Sequence, residues 1–455
     1  MRVFRLLLLA ALLTIVSRPA AGIDLDALVE NLTPAQAERY ERFGDGWTIR
    51  GVCGTRELGL AKTFGINTVR GYTLNTKSGE GSTRSVLDEA HELGIKVVVS
   101  EWMPHQGKNK GRNGETWNVD YSANVDERLA KFVAKVEAIG DHPAILMWGL
   151  GNEVHLDREY LEYVNLMSEA IHERYPLALT SLTMINAKPE NIEKIKTYAP
   201  DLDVVGVQSY SVGAVRGGIR NMEEHWGKPY YYSEFNGKGP WNFSKTEWGT
   251  AYDDLPADRA AEIDACYDAI EAAPRCLGST AFVWGQFGMQ RPSYFSLLLS
   301  PHPSGVQQAE KMEEVEGQPG YPLITPHAEV LGRRFTGSHP VANHAPLITA
   351  LETSDGSREA VVSPGGELAV RVAGTDADGD VLRFTLWVLS KKAGGYMAVA
   401  GPFAVRGTHS FDATQGVGTV FMPETADDSA LVLAYAFDDE GGAVCTTMPV
   451  KIGRE

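Results

Sequence analysis

The sequence predicts an α/β protein: a (β/α)8 TIM barrel followed by a small all-β sandwich domain. Three observations lead there. Eight short apolar or β-branched runs alternate with amphipathic stretches over roughly 290 residues, the span of one closed barrel. Most of the amphipathic stretches stop at Gly or Pro, the residues that end helices. Beyond about residue 340 the helical period disappears, and short β-branched runs with frequent Gly and Asp replace it.

The chain has 455 residues, more than one core usually holds. Its first segment has the composition of an export signal. Residues 1–5 are basic, 6–16 are almost wholly apolar, and Pro19-Ala20-Ala21-Gly22 offers small residues for cleavage. We expect 1–22 to be a signal peptide, 23–340 the barrel and 341–455 the sandwich, in a secreted or periplasmic protein. The apolar run is short for a membrane span, and no other run is long enough.

Strand-like runs fall at 47–54, 67–73, 96–103, 145–153, 177–183, 204–210, 229–236 and 278–287. Helical stretches lie between them at 56–64, 83–93, 125–139, 158–175, 190–198, 214–226 and 258–272, with an eighth at 328–335. The stretch 125–139 puts Leu129, Phe132, Val133, Val136 and Ile139 on one face. No Gly-x-Gly-x-x-Gly opens a helix after the first strand, which argues against an open dinucleotide-binding sheet. The segment 289–325 is rich in Pro, Gly, Ser and Gln, and its length predicts an excursion over the barrel mouth. In the sandwich, strands are expected at 368–372, 382–389, 418–421 and 430–437.

Composition excludes some partners. Acidic residues outnumber basic ones, 59 against 42, and loss of the signal would remove Arg2, Arg5 and Arg18 but no acid. Nucleic acid and anionic lipid both reward a basic face, so neither is expected, nor a membrane once the signal is cleaved. Four Cys permit disulfides without defining a scaffold. Cys266 and Cys276, at a helix end, are the pair to expect; four buried thiols are the alternative. No Cys/His cluster has zinc spacing, so neither a catalytic metal nor a cofactor is predicted.

The chemistry is carried by strand ends. The run from Ala144 to Leu150 closes on Gly151-Asn152-Glu153, and the run Tyr230-Tyr231-Tyr232-Ser233-Glu234 closes on a second carboxylate. In a barrel, the carboxyl ends of the strands face the active site. Two carboxyl groups about 5–5.5 Å apart, one protonated and one ionised, are what glycoside hydrolysis with retention requires.

These motifs, Gly-Asn-Glu after the fourth strand and Ser-Glu-Phe after the seventh, resemble the retaining glycoside hydrolases of clan A. His142 to Val154 is similar to the fourth-strand region of family 2, and both motifs are similar to the β-glucanosyltransferase relatives. The resemblance covers about 47–335. It implies that Glu153 is the acid/base, Glu234 the nucleophile, and Asn152 a partner of the sugar 2-hydroxyl. It further implies that Arg70, in Val-Arg-Gly-Tyr, supports the nucleophile carboxylate. Tyr210, in Val-Gln-Ser-Tyr, would hydrogen-bond that carboxylate, and Trp284 would floor the sugar site. Glu101, Trp102 and His105 end the third strand, His155 follows the acid/base, and Trp241 lies beyond the seventh strand; each can contact substrate or pack a loop. The substrate implied is a β-linked glucan or related oligo- or polysaccharide, cleaved by hydrolysis. Transfer to a second sugar at the same site, or glycan binding by an inactive barrel, are the alternatives.

The segments Asn343-His344-Ala345-Pro346, Thr375-Asp376-Ala377-Asp378-Gly379-Asp380 and Phe437-Asp438-Asp439-Glu440-Gly441-Gly442 resemble cadherin-like or immunoglobulin-like modules of secreted bacterial proteins. Asp376, Asp378 and Asp380 offer clustered oxygens of the kind calcium prefers. Counted as an EF-hand from Asp376, however, the sixth and twelfth positions hold Val381 and Trp387, so that loop is excluded and an Asp-rich turn is expected.

Overall fold

The computed structural model describes residues 32–43, 46–111, 114–287, 291–303, 320–392, 395–410, 413–424 and 429–453. The expected signal peptide, 1–22, lies outside the described residues.

The first element is a helix ahead of the barrel, additional to the eight expected, α1 (Pro34–Tyr40). Thr33 and Gln36 form a reciprocal capping box at its start, which lets so short a helix hold its first turn. It delivers Tyr40 and Phe43 to one end of the barrel. There they pack with Ile49, Val98, Leu146, Leu179, Val204, Tyr231 and Leu277. Ile49 and Val204 open their strands, Leu146, Tyr231 and Leu277 are second in theirs, and Leu179 immediately precedes β7, so the apolar cluster closes the amino-terminal end of the barrel.

The barrel then alternates as expected. In chain order it runs β1 (Ile49–Cys53), α2 (Leu58–Thr63), β2 (Thr68–Arg70), α3 (Thr83–Leu93) and β3 (Lys96–Glu101). A short hairpin follows, β4 (Gly107–Lys110) with β5 (Thr116–Val119), before α4 (Val125–Ile139). Next come β6 (Ile145–Asn152), α5 (Arg158–Arg174), β7 (Thr180–Ile185), α6 (Pro189–Tyr198), β8 (Val204–Gln208) and α7 (Val212–His225). The last units are β9 (Tyr230–Phe235), α8 (Pro256–Glu271) and β10 (Cys276–Ala281). The eight long-range strands close in the order β1-β10-β9-β8-β7-β6-β3-β2, and every pairing between them is parallel. Outward-facing Val97, Val99, Val205 and Val207 join Leu87, Phe132, Val136 and Ile263 of the helices in one apolar layer. Burying both faces is why these strands read as continuous apolar runs.

After β10 come α9 (Pro292–Phe295), β11 (Leu298–Leu299), β12 (Leu323–Ile324) and the eighth barrel helix, α10 (Pro326–Thr336). The expected excursion over the mouth is only partly what this segment does. Phe295 reaches the mouth, whereas Leu299 and Leu323 pack beneath the second domain. Residues 304–319 lie outside the described residues.

That domain has a four-stranded and a five-stranded sheet. Its strands are β13 (Leu347–Thr353), β14 (Ala360–Val362), β15 (Glu367–Thr375), β16 (Arg383–Lys392), β17 (Gly395–Ala404), β18 (Arg406–Ser410), β19 (Ala413–Phe421), β20 (Ser429–Phe437) and β21 (Ala443–Ile452). β20 explains the junction. Ala430, Val432, Ala434 and Ala436 face the sandwich core, while Leu431, Leu433, Tyr435 and Phe437 join Leu299 and Leu323. Both faces of the strand are covered, so the sheet is docked on the barrel through apolar contact.

The expected Cys266–Cys276 disulfide is absent: Cys53, Cys266, Cys276 and Cys445 are buried free thiols. The Cys266 Sγ lies 3.9 Å from the carbonyl of Asn236, and the Cys276 Sγ lies 3.4 Å from that of Gly278. Each thiol is turned to its own backbone acceptor. Among the described residues, no helix is long and apolar enough to cross a membrane.

Candidate active site

Glu234 is the centre of the site. A strictly alternating strand would not put it there. Tyr232 faces outward, its hydroxyl donating to the Val215 carbonyl at 2.6 Å, and Phe235 faces outward against Tyr267. Two residues rather than one lie between them, and the β8–β9 register shifts at this point. A bulge of this kind re-aims a side chain, and here it turns Glu234 into the barrel.

Inside, three donors converge on its carboxylate. Arg70 Nη1 donates to Oε1 at 2.8 Å, and the Tyr72 hydroxyl donates to the same oxygen at 2.7 Å. The Tyr210 hydroxyl donates to Oε2 at 2.7 Å. An ionised carboxylate is an acceptor only and can take all three. Arg70 is 1% exposed; its guanidinium also donates to the Ser233 carbonyl and lies 4.6 Å from the Tyr72 ring centroid. Burial and the neighbouring negative charge push the Tyr72 and Tyr210 phenols well above their ordinary range, so both remain donors.

The second nitrogen of Arg70 holds Asn152. Nη2 donates to Asn152 Oδ1 at 2.6 Å, and Gln208 Nε2 donates to the same oxygen at 2.8 Å. With its oxygen engaged twice, the amide keeps its Nδ2 as a donor. Asn152 also depends on a register shift, between the pairings Gly149–Ser181 and Asn152–Thr183. Gly151, inside that shift, has φ +105°.

Glu153 follows with φ +54° and is only partly buried. Burial, and then the charge of Glu234, push its carboxyl up to about 7, against a smaller opposing pull from Arg70. The site thus places a carboxyl that holds its proton near neutral pH close to one that three donors hold as an acceptor.

The rim is aromatic. Phe282 stands edge-on to Tyr72 and Tyr210, and Phe295 lies 5.1 Å from Tyr210. Trp241 is 60% exposed and stands edge-on to Tyr210 at 5.3 Å. Trp102 is 52% exposed after β3. His105 and His155 pack ring to ring at 4.3 Å, and the His155 N–H donates to His105 Nδ1. Beside Tyr72 a cavity of about 450 Å³ runs toward the strand–helix layer, lined by Thr55, Asn75 and Ser100 together with Val86, Val97 and Val99.

Two expected site residues lie elsewhere. Trp284 is 3% exposed and packs on Phe64 of the layer between strands and helices, its Nε1 donating to the Glu57 carbonyl. It does not floor the cleft; Phe282, two residues earlier, is the ring that faces it. Glu101 pairs with Lys135 of α4. It continues the outward alternation of Val97 and Val99, so it points to the helices and away from the cleft.

Four further residues belong to this site: Tyr72, Gln208, Phe282 and Phe295. Tyr72 and Gln208 had a signal, since each lies two residues from an expected member, Arg70 and Tyr210. Among the described residues, the grouping with metal-ligand spacing is Asp376, Asp378 and Asp380 in the sandwich. There Asp376 Oδ1 accepts the backbone N–H groups of Asp378 and Asp380, the arrangement of an Asx turn.

No family model and no curated protein matches the chain. Solved structures do. The GH53 catalytic domain of Ignisphaera aggregans shares 14% identity, with 58% of this chain and 87% of that one covered and a TM-score of 0.39. A GH2 β-galacturonidase from Eisenbergiella tayi shares 14% identity over 65% of this chain and 52% of its own, with a TM-score of 0.43. The α-L-arabinofuranosidase of Thermotoga maritima shares 11% identity over 87% and 89%, with a TM-score of 0.41. At these identities and scores the likenesses say nothing of substrate or activity, and the site's own geometry carries its chemistry.

Proposed function

We propose that this chain is a retaining β-glycoside hydrolase acting outside the cytoplasm, with residues 1–22 as its export signal. One observation carries the reading. Glu234 is held by Arg70, Tyr72 and Tyr210, beside a Glu153 whose proton is retained to about pH 7.

The roles follow from the charges. Glu234 attacks the anomeric carbon as Glu153 gives its proton to the leaving oxygen, so the glycosidic bond breaks while a glycosyl–Glu234 ester forms. Glu153, now ionised, takes a proton from water. The hydroxide so formed attacks the same carbon and releases Glu234. Loss of negative charge on Glu234 in the first step removes one cause of the raised Glu153 pKa, which suits Glu153 to act as base in the second. Asn152 Nδ2 is the donor available to a sugar hydroxyl. Phe282 and exposed Trp241, beside Tyr72 and Tyr210, offer the mixed apolar and polar surface that a neutral sugar needs. A β-linked glucan or related oligosaccharide is the substrate class we assign.

Glu234→Ala should abolish turnover and be partly rescued by azide on an activated aryl glycoside; full activity in that variant would sink the assignment. Glu153→Gln should spare aryl substrates more than natural ones. Exposed Trp241, beside Tyr210, is also suited to hold an acceptor sugar. Products longer than the substrate, at high oligosaccharide concentration, would show that transfer competes with hydrolysis.

A further inference from the structure

The sandwich does more than touch the barrel. Its strand β21 reaches a buried ionic knot that leads back to the catalytic carboxylate. Asp253, in the loop after β9, is 2% exposed, and Arg291 is 1% exposed. Arg291 Nη1 donates to Asp253 Oδ1 at 2.8 Å, to the Ala251 carbonyl at 2.8 Å and to Thr447 Oγ1 at 3.0 Å. The other oxygen of Asp253 accepts Ser293 Oγ at 2.6 Å and the backbone N–H of Thr447 at 3.0 Å. Thr447, from the second domain, thus donates to the acid and accepts from the base.

From the knot the path to the site is short. Arg291 is the N-cap of α9, and α9 ends in Phe295. The Phe295 carbonyl accepts from Val283 N at 2.9 Å and Asn236 Nδ2 at 3.3 Å, which ties it to the ends of both final barrel strands. Its ring packs on Tyr210, whose hydroxyl holds Glu234 Oε2.

Adhesion alone does not account for this. The interface already has apolar contact through Leu299, Leu323, Trp387, Leu431 and Leu433. The Asp253–Arg291 pair lies wholly on the barrel side, so it is not itself a bond between the domains; Thr447 is what joins the sandwich to it. What Thr447 adds is direction, because each hydrogen bond fixes an angle as well as a distance.

We propose that the sandwich is a working part of the active site: Thr447, through the Asp253–Arg291 pair, positions Phe295 and so the Tyr210 hydroxyl that orients Glu234. Asp253, Arg291 and Thr447 are positioning residues. The inference rests on the reading of Glu234 as nucleophile.

The test uses the full chain and whichever aryl β-glycoside of a panel the wild type turns over fastest. Thr447→Val removes the hydroxyl and keeps both shape and backbone N–H. Asp253→Asn keeps shape and removes charge. Each is expected to lower kcat about tenfold while KM stays within about twofold, as misplacement of a reacting group does. In a Tyr210→Phe background the same substitutions should cost little, because the path they act through is already cut. Leu431→Ala, at the same interface but off the path, should lower Tm and leave kcat unchanged.

Unchanged kcat in folded Thr447→Val overturns the proposal. So do losses that simply multiply with that of Tyr210→Phe, or an equal kcat loss in Leu431→Ala. If Asp253→Asn does not fold, Thr447→Val decides alone. Glu234→Ala separates the two levels: activity surviving there refutes the nucleophile, whereas a dead Glu234→Ala with an indifferent Thr447→Val refutes only the positioning path.

Discussion

Arg70 and Glu234 meet inside the barrel at 2.8 Å, with side chains 1% and 6% exposed. Neither charge has water to fall back on, so each depends on the other. Arg70→Ala should remove at least about a hundredfold from kcat/KM. It should also cost about 3–5 kcal/mol of stability, because it strands a buried carboxylate. Arg70→Lys should rescue stability better than activity: one ammonium cannot span Glu234 and Asn152 as the two guanidinium nitrogens do. Kinetics and urea unfolding of both variants check this, and equal activity in Arg70→Lys and wild type would contradict it.

Tyr72 and Tyr210 grip opposite oxygens of the same carboxylate. Each Tyr→Phe substitution removes one hydrogen bond and leaves the ring in place. We expect each to lower kcat by roughly tenfold to a hundredfold. The loss in the double variant should differ from the product of the single losses, since both act on one group. Steady-state kinetics of the four proteins completes the cycle.

The alternation of apolar runs made the barrel legible, because a parallel strand buried on both faces leaves little else to read. The strand ends made Glu153, Glu234, Arg70 and Tyr210 legible as well. Inward or outward direction was harder. Glu101 follows the plain alternation of β3 and points to Lys135, while Glu234 and Asn152 break alternation through bulges that the sequence does not announce. Trp284 was misplaced for a similar reason: strand β10 ends at Ala281, and the direction of a ring beyond a strand end depends on loop geometry. Phe295 sits in a Pro- and Ser-rich stretch with no periodicity, and only tertiary contact with Tyr210 identifies it.

In the proposed mechanism Glu153 sets the alkaline side of the pH profile. Its carboxyl is pushed up to about 7 by burial and by the charge of Glu234. The protonated form is the acid, so kcat/KM on unactivated oligosaccharides should fall as pH rises through about 7. Glu153→Gln should flatten that limb. Aryl glycosides with good leaving groups should need the proton less. An alkaline limb unchanged in Glu153→Gln would assign it to another group.

His172, on α5, is held between Asp201 at 2.7 Å and Asp203 at 3.0 Å, and Asp203 also binds Arg39 of α1. Burial pulls its pKa down, but the hydrogen bonds and charges of the two aspartates outweigh burial and raise it to about 9. The sign follows. The folded value lies above the unfolded one of about 6.5, so the contribution is complete below about pH 6.5 and is lost as pH rises through 9. We expect about 1–2 kcal/mol, once solvent screening is allowed for. Urea midpoints at pH 6 and pH 9.5, compared between wild type and His172→Gln, measure it: the difference should shrink at the higher pH.

Gly151 gives the strictest test of how the fold aims Asn152. A Cβ there would lie 2.1 Å from the hydroxyl of Tyr160, which is fully buried and donates to the Leu150 carbonyl at 2.8 Å. The backbone also has φ +105°, which an L side chain resists. Gly151→Ala must therefore displace Tyr160 or flatten the bulge. Displacing Tyr160 leaves a buried carbonyl without its donor, and flattening the bulge turns Asn152 away from Arg70. Either course should cost about 1–3 kcal/mol. Only the second lowers kcat, so kinetics reports which one the chain takes. Tyr160→Phe in the same variant removes the clashing oxygen and leaves the φ strain. Stability should then recover in part, while any kcat loss that comes from the bulge should persist. Wild-type stability and activity in Gly151→Ala would mean that the bulge does not depend on glycine.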